Sequence, residues 1–415
     1  MVTNKARISK AVLLVALCWL VYTASYLGKL GYSANITQIE NVYGVSHASA
    51  GMVSTFFFFA YGLGQIISGV LCKRFNLRFI VFAGLVVSGL MNLLVGVVDN
   101  FELIKYFWLI NGAVLSVLWT SLVRLISENL DEADFNKTII ILGTTVPVGT
   151  IIVYGLSSLL VALGNYIVIF YIAAAVLPIV ALLWVFFYPF LLRSGVSLGE
   201  SEVTSDDESV KPSLSRELWI SICILAFFAV AVNLVKDGLT TWVPMILKET
   251  YDLPDYAGIL LTLLLPILAI FGTGFAISLN KRIKDLVLLS VAHFLMASVL
   301  IAVVILCLPT TLIFITLGCF GVISLLMSGI NNIVTTMVPL YWKDRLNPGL
   351  WAGVFNGFCY IGSTISAYGL GAIADAGGWS TVIWLLFGLC MLAAVLGFVG
   401  FLFNRPCAKS HHNKV

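Results

Sequence analysis

The stretch RSGVSLGESEVTSDDESVKPSLSRE, residues 193–217, is a long polar segment inside an otherwise apolar chain. It is rich in serine and in acidic residues, a composition that favours a flexible linker over a packed element. On each side of it the sequence has six apolar runs of about 20 residues, the length that an α-helix needs to cross a bilayer. The predicted spans are 11–34, 49–71, 79–98, 104–126, 138–161, 166–191, 218–246, 256–279, 286–308, 311–338, 350–374 and 380–403.

This arrangement predicts an all-α membrane protein with twelve transmembrane helices in two six-helix, pseudo-symmetric halves. The predicted boundaries are 1–192 for the N-terminal half, 193–216 for a cytoplasmic linker, 217–405 for the C-terminal half and 406–415 for a cytoplasmic tail. The composition agrees with a membrane protein, since 60% of the 415 residues are hydrophobic and only 10% are charged. Soluble domains carry roughly 25% charged residues.

The sequence lacks the patterns of several function classes. The formal net charge of +3 is too small to indicate nucleic-acid binding. The eight cysteines and four histidines show no metal-ligand or disulfide spacing, and no nucleotide-binding loop or catalytic arrangement is present. We therefore expect no enzymatic activity, no cofactor and no metal. The expected partners are a small solute and the lipid bilayer, and the expected state is a monomer.

Basic residues are distributed unevenly between the predicted loops. Lys105 and Lys248 fall on one side of the membrane, two further lysines fall within spans, and the other lysines and arginines fall on the side of the N-terminus. Because short cytoplasmic loops carry the excess of basic residues, we expect both termini in the cytoplasm. The pattern fits the inner (plasma) membrane of a bacterium.

Two lysines lie within predicted spans: Lys29 and, in the stretch NLVKDGLTTW at 233–242, Lys236. A charged side chain at the bilayer centre costs about 3 kcal/mol on insertion scales, so its presence indicates a function or a route to the interface. Each lysine lies 19 residues after the charged residue that begins its span, and each is followed two positions later by a glycine. Parallel repeats would place the two lysines at the same depth, facing each other, as an anion site. The alternative is that each side chain snorkels to the headgroups.

Several polar residues accompany these lysines. Tyr22 and Tyr26 precede Lys29 by seven and three residues, so all three share one helix face, where the hydroxyls would complete the anion site or pack. Asp237 is an acid well inside a span, and we expect it to couple proton movement or to pair with a polar group on a neighbouring helix. Because successive helical residues point about 100° apart, we expect no direct pair between Asp237 and Lys236.

Other polar residues near the predicted spans have two interpretations each. Arg124, at the end of the fourth span, is a candidate for a gating salt bridge or for a snorkelled interfacial arginine. Uncharged polar groups at membrane depth need partners, and we expect interhelical hydrogen bonds for them. These residues are Gln65, Asn111, Asn331, Asn332 and Asn356.

Four segments resemble one family of transporters. They are SYLGKLGYS at 25–33, AYGLGQIISGVLCKRFNLR at 60–78, NLVKDGLTTWVPMILKE at 233–249 and AGVFNGFCYIGSTISAYGLGAIADAGGW at 352–379. With the twelve spans, they resemble the organophosphate:phosphate antiporters, a branch of the major facilitator superfamily that includes the glycerol-phosphate and hexose-phosphate carriers. The resemblance implies the major facilitator fold and alternating-access transport of a small organic anion, with phosphate esters as the leading class, exchanged for phosphate or moved with protons.

The resemblance also implies roles for single residues. Lys29 and Lys236 stand at the positions of two arginines that clamp the phosphate in that family. Gln65 stands at the position of a further lysine, and Trp119 matches a tryptophan that would wall the cavity; packing is the alternative role for Trp119. Lysine is a compact point charge, whereas arginine offers a planar fork that meets phosphate through two contacts. A proton-coupled carrier of carboxylates, sulfonates or acidic sugars is therefore an open alternative, as is an anion sensor that does not transport.

Overall fold

The structure is a computed structural model that describes residues 4–130, 132–193, 216–343 and 345–408. Most of the predicted linker and of the predicted tail lies outside the described residues. Every secondary-structure element of the described ranges is a helix. The elements are α1 Asn4–Ala34, α2 Ile36–Tyr43, α3 His47–Arg74, α4 Leu77–Val97, α5 Phe101–Asn129, α6 Glu132–Gly143, α7 Thr145–Ala162, α8 Val168–Arg193, α9 Arg216–Tyr251, α10 Asp255–Thr262, α11 Leu264–Ala269, α12 Gly272–Asn280, α13 Leu286–Cys307, α14 Ile313–Asn332, a π-helical turn Ile333–Met337, α15 Val338–Tyr341 and α16 Pro348–Ala408.

Eleven helical stretches of the described residues are long and apolar enough to cross a membrane. They are Ala11–Ala34, His47–Ser68, Leu77–Val97, Phe101–Asn129, Lys137–Ala162, Val168–Pro189, Leu218–Tyr251, Asp255–Asn280, Leu286–Cys307, Ile313–Tyr341 and Pro348–Phe403. The last of these holds two helices, because the backbone leaves the helical region at Gly378, where φ is 73° and ψ is 173°. Glycine adopts a positive φ without steric cost. The stretch thus covers the last two predicted spans, and the architecture agrees with the predicted twelve helices.

In two of the predicted spans the helix is interrupted one turn before a proline. α6 ends at Gly143 and α10 ends at Thr262, four residues before Pro147 and Pro266 respectively. A proline ring clashes with the carbonyl group four residues earlier and cannot donate a hydrogen bond to it. The fifth and eighth spans are therefore each built from shorter helical segments in series.

The described residues divide into two compact units. Unit 1 comprises the described parts of Met1–Gly44, Met52–Glu208 and Asp255–Leu263. In this unit α1 packs against α5, α7 and α8, and α4 packs against α5 and α8. The helix that carries Lys29 is therefore covered on several sides by other helices of its own unit.

Unit 2 comprises the described parts of Val45–Gly51, Ser209–Pro254 and Leu264–Val415. Here α9 packs against α14 and α16, and α13 also packs against both of these helices. The helix that carries Lys236 therefore packs against two helices that contain polar side chains, α14 and α16. Large apolar side chains are exposed in both units, such as Phe186 in unit 1 and Phe314 in unit 2, as expected for surfaces that face lipid.

Candidate functional site

Lys29 lies in unit 1 within a cage of aromatic rings, defined here as Tyr26, Phe57 and Tyr61. Its Nζ is 4.6 Å from the ring centroid of Tyr61, 5.5 Å from that of Tyr26 and 6.0 Å from that of Phe57. Ring faces attract a cation electrostatically at these distances. Among the residues that the structure describes, no carboxylate lies within ion-pair distance of Lys29. The half-buried ammonium group is stabilised by rings rather than by a negative charge.

The backbone of α1 next to Lys29 is clamped by two asparagines. Asn111 Nδ2 donates a hydrogen bond of 2.7 Å to the carbonyl oxygen of Gly28, and Asn92 Nδ2 donates one of 3.3 Å to the same atom. Ser88 Oγ donates in turn to Asn111 Oδ1 at 2.7 Å. A side chain at Gly28 would overlap the Ser88 hydroxyl, so glycine is required for this approach. The clamp fixes the rotation of α1 and with it the direction of Lys29.

The two predicted tyrosines and the predicted tryptophan lie in one chain of ring contacts. The Tyr22 and Tyr26 centroids are 5.8 Å apart, and the Tyr22 and Trp119 centroids are 5.0 Å apart. Both tyrosines are buried and Trp119 is half-buried. These contacts join Trp119 on α5 through Tyr22 and Tyr26 to the cage around Lys29.

Gln65 and Arg124 have partners elsewhere in unit 1. Gln65 Nε2, on α3, donates to the carbonyl oxygen of Ser116 at 3.2 Å, which is the interhelical hydrogen bond expected for it. Arg124 Nε lies 2.5 Å from Glu128 Oε1 one turn along α5, and its Nη1 donates to the carbonyl oxygen of Cys72. The contacts of Arg124 therefore hold α5 to α3.

Lys236 in unit 2 has a carboxylate partner, which corrects a prediction from the sequence. Its Nζ lies 3.6 Å from Oδ1 of Asp237, and the two side chains are 28% and 20% exposed. The expectation of no direct pair was wrong because the flexible four-carbon stem of lysine spans the angular offset between neighbouring residues. The two lysines are thus in unlike surroundings, one among rings and one beside a carboxylate.

Asp237 belongs to a hydrogen-bonded network across three helices. Ser363 Oγ, on α16, donates to Asp237 Oδ2 at 2.5 Å. Asn233 Nδ2, on α9, is 3.5 Å from Ser363 Oγ, and Asn233 Oδ1 accepts from Asn331 Nδ2 on α14 at 2.9 Å. Asn331 lies two residues before the π-helical turn, in which Thr335 Oγ1 donates to the Asn331 carbonyl oxygen at 2.7 Å. Turns of this kind are frequent at functional sites.

A second polar cluster in unit 2 was not predicted. Asp375 accepts hydrogen bonds from the backbone N–H groups of His47 at 3.1 Å and Ala48 at 2.8 Å, which caps the start of α3. His47 Nε2 lies 3.5 Å from Glu249 Oε1, and Trp379 Nε1 donates to Glu249 Oε2 at 2.7 Å. Residues up to 328 positions apart meet here, and no local sequence signal marks such a contact.

Comparison with known protein families shows which family this chain belongs to. Residues 18–347 match the family described as the Major Facilitator Superfamily. The chain belongs to the major facilitator superfamily. The superfamily that the sequence resemblance predicted is therefore confirmed for this facilitator.

Matches to curated relatives of the facilitator are shorter. It is 27% identical over 94 residues to the membrane sensor protein UhpC of Escherichia coli, covering 23% of this chain and 21% of that protein. A probable hexose phosphate transport protein of Chlamydia muridarum is 25% identical over 107 residues, covering 26% and 24% respectively. The glucose-6-phosphate exchanger SLC37A2 of Mus musculus is 37% identical over 83 residues, covering 19% and 17%. The matched regions are thus a quarter or less of each of these relatives, and the predicted resemblance to the organophosphate branch is confirmed at low identity.

Solved structures similar to the facilitator cover nearly its whole length. A bacterial homolog of the human lysosomal transporter Spinster has a TM-score of 0.76 at 15% identity, over 94% of this chain and 97% of that one. The nucleoside transporter NupG has a TM-score of 0.69 at 16% identity, over 94% and 99%. At such identities the likeness concerns the fold alone. It confirms the predicted all-α major facilitator fold.

Proposed function

We propose that this facilitator transports a small organic anion by alternating access, with phosphate esters as the leading substrate class. The observation that carries the proposal is a half-buried lysine within a candidate membrane span of each unit, Lys29 on α1 and Lys236 on α9. A charge inside a membrane protein is costly unless it serves a pathway or a partner. Relatives named as a hexose phosphate transporter and a glucose-6-phosphate exchanger favour an anionic sugar ester as the cargo.

In this proposal each candidate residue has a distinct role. Lys29 and Lys236 supply the positive charge that attracts the anion, while Tyr22, Tyr26 and Trp119 offer ring faces and hydroxyl groups to the organic part. Gln65 is proposed as a further polar group of the substrate site. The residues proposed for coupling and gating are Asp237 for a proton and Arg124 for closure of the cytoplasmic end.

The membrane arrangement completes the proposal. The basic residues favour cytoplasmic termini and the inner membrane of a bacterium. The halves 1–192 and 217–405 would be the moving bodies, joined by the cytoplasmic linker 193–216, and a single chain would be the transporting species. The cargo would be exchanged for inorganic phosphate or would move with protons.

Two further functions are candidates. A proton-coupled symporter of carboxylates, sulfonates or acidic sugars is favoured by the lysines, since they lack the bidentate fork of arginine. A non-transporting anion sensor is favoured by the match to the sensor UhpC. A sensor would bind an anion without accumulating it in vesicles.

Counterflow in proteoliposomes tests the proposal. Vesicles loaded with phosphate are given labelled phosphate outside, together with competing phosphate esters, carboxylates or sulfonates. The proposal predicts exchange that particular esters inhibit and that Lys29→Ala with Lys236→Ala abolishes. Lys105→Ala is the matched control, because Lys105 pairs with Glu102 near the start of α5 and its loss removes one positive charge outside the proposed site. Exchange that survives in the double lysine variant would contradict the proposal.

A further inference from the structure

The start of α9 and the loop before α16 pack together at one end of unit 2. Leu218 and Ile222 on α9 and Leu346 in the loop are buried and form one apolar cluster. Trp342 and Trp351, which flank the loop, are half-buried against the same cluster. The loop 342–347 is therefore fixed to the first two turns of α9.

Backbone hydrogen bonds give this loop a turn that separates its apolar and basic side chains. The N–H groups of Arg345 and Leu346 both donate to the carbonyl oxygen of Trp342, each at 2.9 Å. Leu346 is 6% exposed and faces α9, whereas Lys343 and Arg345 are exposed. The loop thus uses its apolar residues for packing and presents its basic residues to the surroundings.

Three exposed basic residues meet at this end of unit 2. Arg216 begins α9, two residues before the buried Leu218, and Lys343 and Arg345 lie in the loop that packs on Leu218. We call Arg216, Lys343 and Arg345 the basic rim. In the part of the chain that the structure describes, no carboxylate lies within ion-pair distance of these three residues. The positive end of the α16 dipole, at Pro348, follows the loop directly and adds to the same field.

Exposed aromatic side chains adjoin the basic rim. Trp219 is 47% exposed and lies three residues after Arg216, on the same face of α9. Tyr341, directly before the loop, is 72% exposed. Tryptophan and tyrosine are enriched where a membrane protein meets the lipid headgroups, because their rings are apolar at one end and polar at the other. The basic rim therefore lies beside a surface that is suited to the upper part of a lipid molecule.

We propose that the basic rim binds the headgroup of an anionic phospholipid, with the acyl chains along the exposed face of α9 near Trp219. The lipid phosphate supplies the negative charge that the described residues do not offer to the rim. Basic clusters next to membrane-spanning helices attract anionic headgroups in this way. The inference adds a ligand site to the chain and does not depend on which solute is transported.

Native mass spectrometry of the purified full-length protein in detergent tests this inference. It gives the apparent dissociation constants of phosphatidylglycerol, which is anionic, and of phosphatidylcholine, which has no net charge. We expect the unmutated protein to bind phosphatidylglycerol more tightly. Lys343→Gln with Arg345→Gln should weaken the phosphatidylglycerol complex about 30-fold, since each basic residue near a lipid surface contributes about fivefold. Binding of phosphatidylcholine should stay the same.

The matched control is Lys281→Gln with Arg282→Gln. It also removes one exposed lysine and one exposed arginine from unit 2, in the turn 281–285 between α12 and α13. This turn contains an acidic residue, Asp285, and no aromatic residue, so we expect the control to leave the phosphatidylglycerol complex nearly unchanged. Thermal midpoints of both double variants show whether they are folded, and the comparison of the two lipids in the unmutated protein needs no variant.

Each other outcome overturns the inference and leaves the proposed function standing. Equal affinity of the unmutated protein for the two lipids, or equal weakening in the two double variants, would mean that the basic rim is not a lipid site. Phosphatidylglycerol that inorganic phosphate displaces at equal concentration would make free phosphate the ligand. Phosphatidylglycerol binding that appears only after the five acidic residues at 200–208 are neutralised would make the linker the occupant of the rim.

Discussion

The sequence predicts that Lys29 and Lys236 occupy matching positions in the two halves, yet the two units stabilise their lysines by different means. Unit 1 uses the aromatic cage and a clamp on the neighbouring backbone, through Asn111 and Gly28. Unit 2 uses a carboxylate and a side-chain network through Ser363. An ammonium group held by ring faces keeps its full positive charge available to a ligand. The charge of an ammonium group beside a carboxylate is partly neutralised. Positions that a sequence predicts to match can therefore differ in effective charge.

The largest effect is expected from Lys29→Ala. Since no described carboxylate pairs with Lys29, its loss removes an uncompensated positive charge from the proposed binding residues. We expect anion uptake to fall about 100-fold, in the range for truncating one partner of a desolvated charge pair. Uptake of a labelled anion into proteoliposomes measures it. Lys105→Ala should retain normal uptake. An equal fall in that control would show that Lys29 has no specific role in anion uptake.

The second-largest effect is expected from Lys236→Ala, which tests the difference in surroundings between the two lysines. Lys236→Ala leaves Asp237 without its counter-ion, and this carboxylate would then repel the substrate. We expect Lys236→Ala to lower uptake of a monoanion by about 30-fold, and the double variant Lys236→Ala with Asp237→Asn to recover about tenfold of it, since much of the loss comes from the unpaired charge. A double variant no better than the single one would show that the pair does not act as a unit.

The clamp of unit 1 can be tested with two glycines of the same helix. Gly28→Ala would overlap Ser88, whereas a Cβ at Gly31 would meet its nearest neighbour at an ordinary 3.7 Å. We expect Gly28→Ala to lower the free energy of unfolding by about 1–3 kcal/mol, as overpacking does, and Gly31→Ala to change it little. Denaturation in detergent measures both. Equal stability of the two variants would contradict the clamp.

The smallest effect concerns the unpredicted cluster of unit 2. Trp379→Phe keeps the ring but removes the hydrogen bond to Glu249, and we expect a loss of about 1 kcal/mol of stability. Trp384→Phe is a matched change at an exposed tryptophan nearby on α16 and should be neutral. Equal thermal midpoints of the two variants would show that the hydrogen bond to Glu249 contributes nothing to stability.

The features that could be predicted from the sequence are those that depend on local properties of the chain. The spans follow from the length and hydropathy of each run, and the interruptions before Pro147 and Pro266 follow from proline sterics. The spacing of Tyr22 and Tyr26 placed their side chains on the face of Lys29, because three- and seven-residue separations share a helix face. The predicted roles of these residues in binding stay predictions.

The rest depends on how helices pack against one another. Ser363 and Asn331 reach the Asp237 network only because α16 and α14 lie beside α9, and nothing in their own segments indicates it. The Lys236–Asp237 pair depends on a side-chain rotamer, which helical periodicity does not determine. The Asp375 cap on α3 joins residues 328 positions apart. Such contacts follow from the fold and not from any local pattern.

The most direct test of the central claim compares one uptake measurement in three proteins. The labelled monoanion taken up fastest by the unmutated chain is given to proteoliposomes with Lys29→Ala or with the double variant Lys236→Ala and Asp237→Asn. The account predicts that the double variant, which removes a neutral pair, keeps a substantial part of the uptake, while Lys29→Ala loses nearly all of it. Equal losses in both, or no anion uptake by the unmutated protein, would contradict the account.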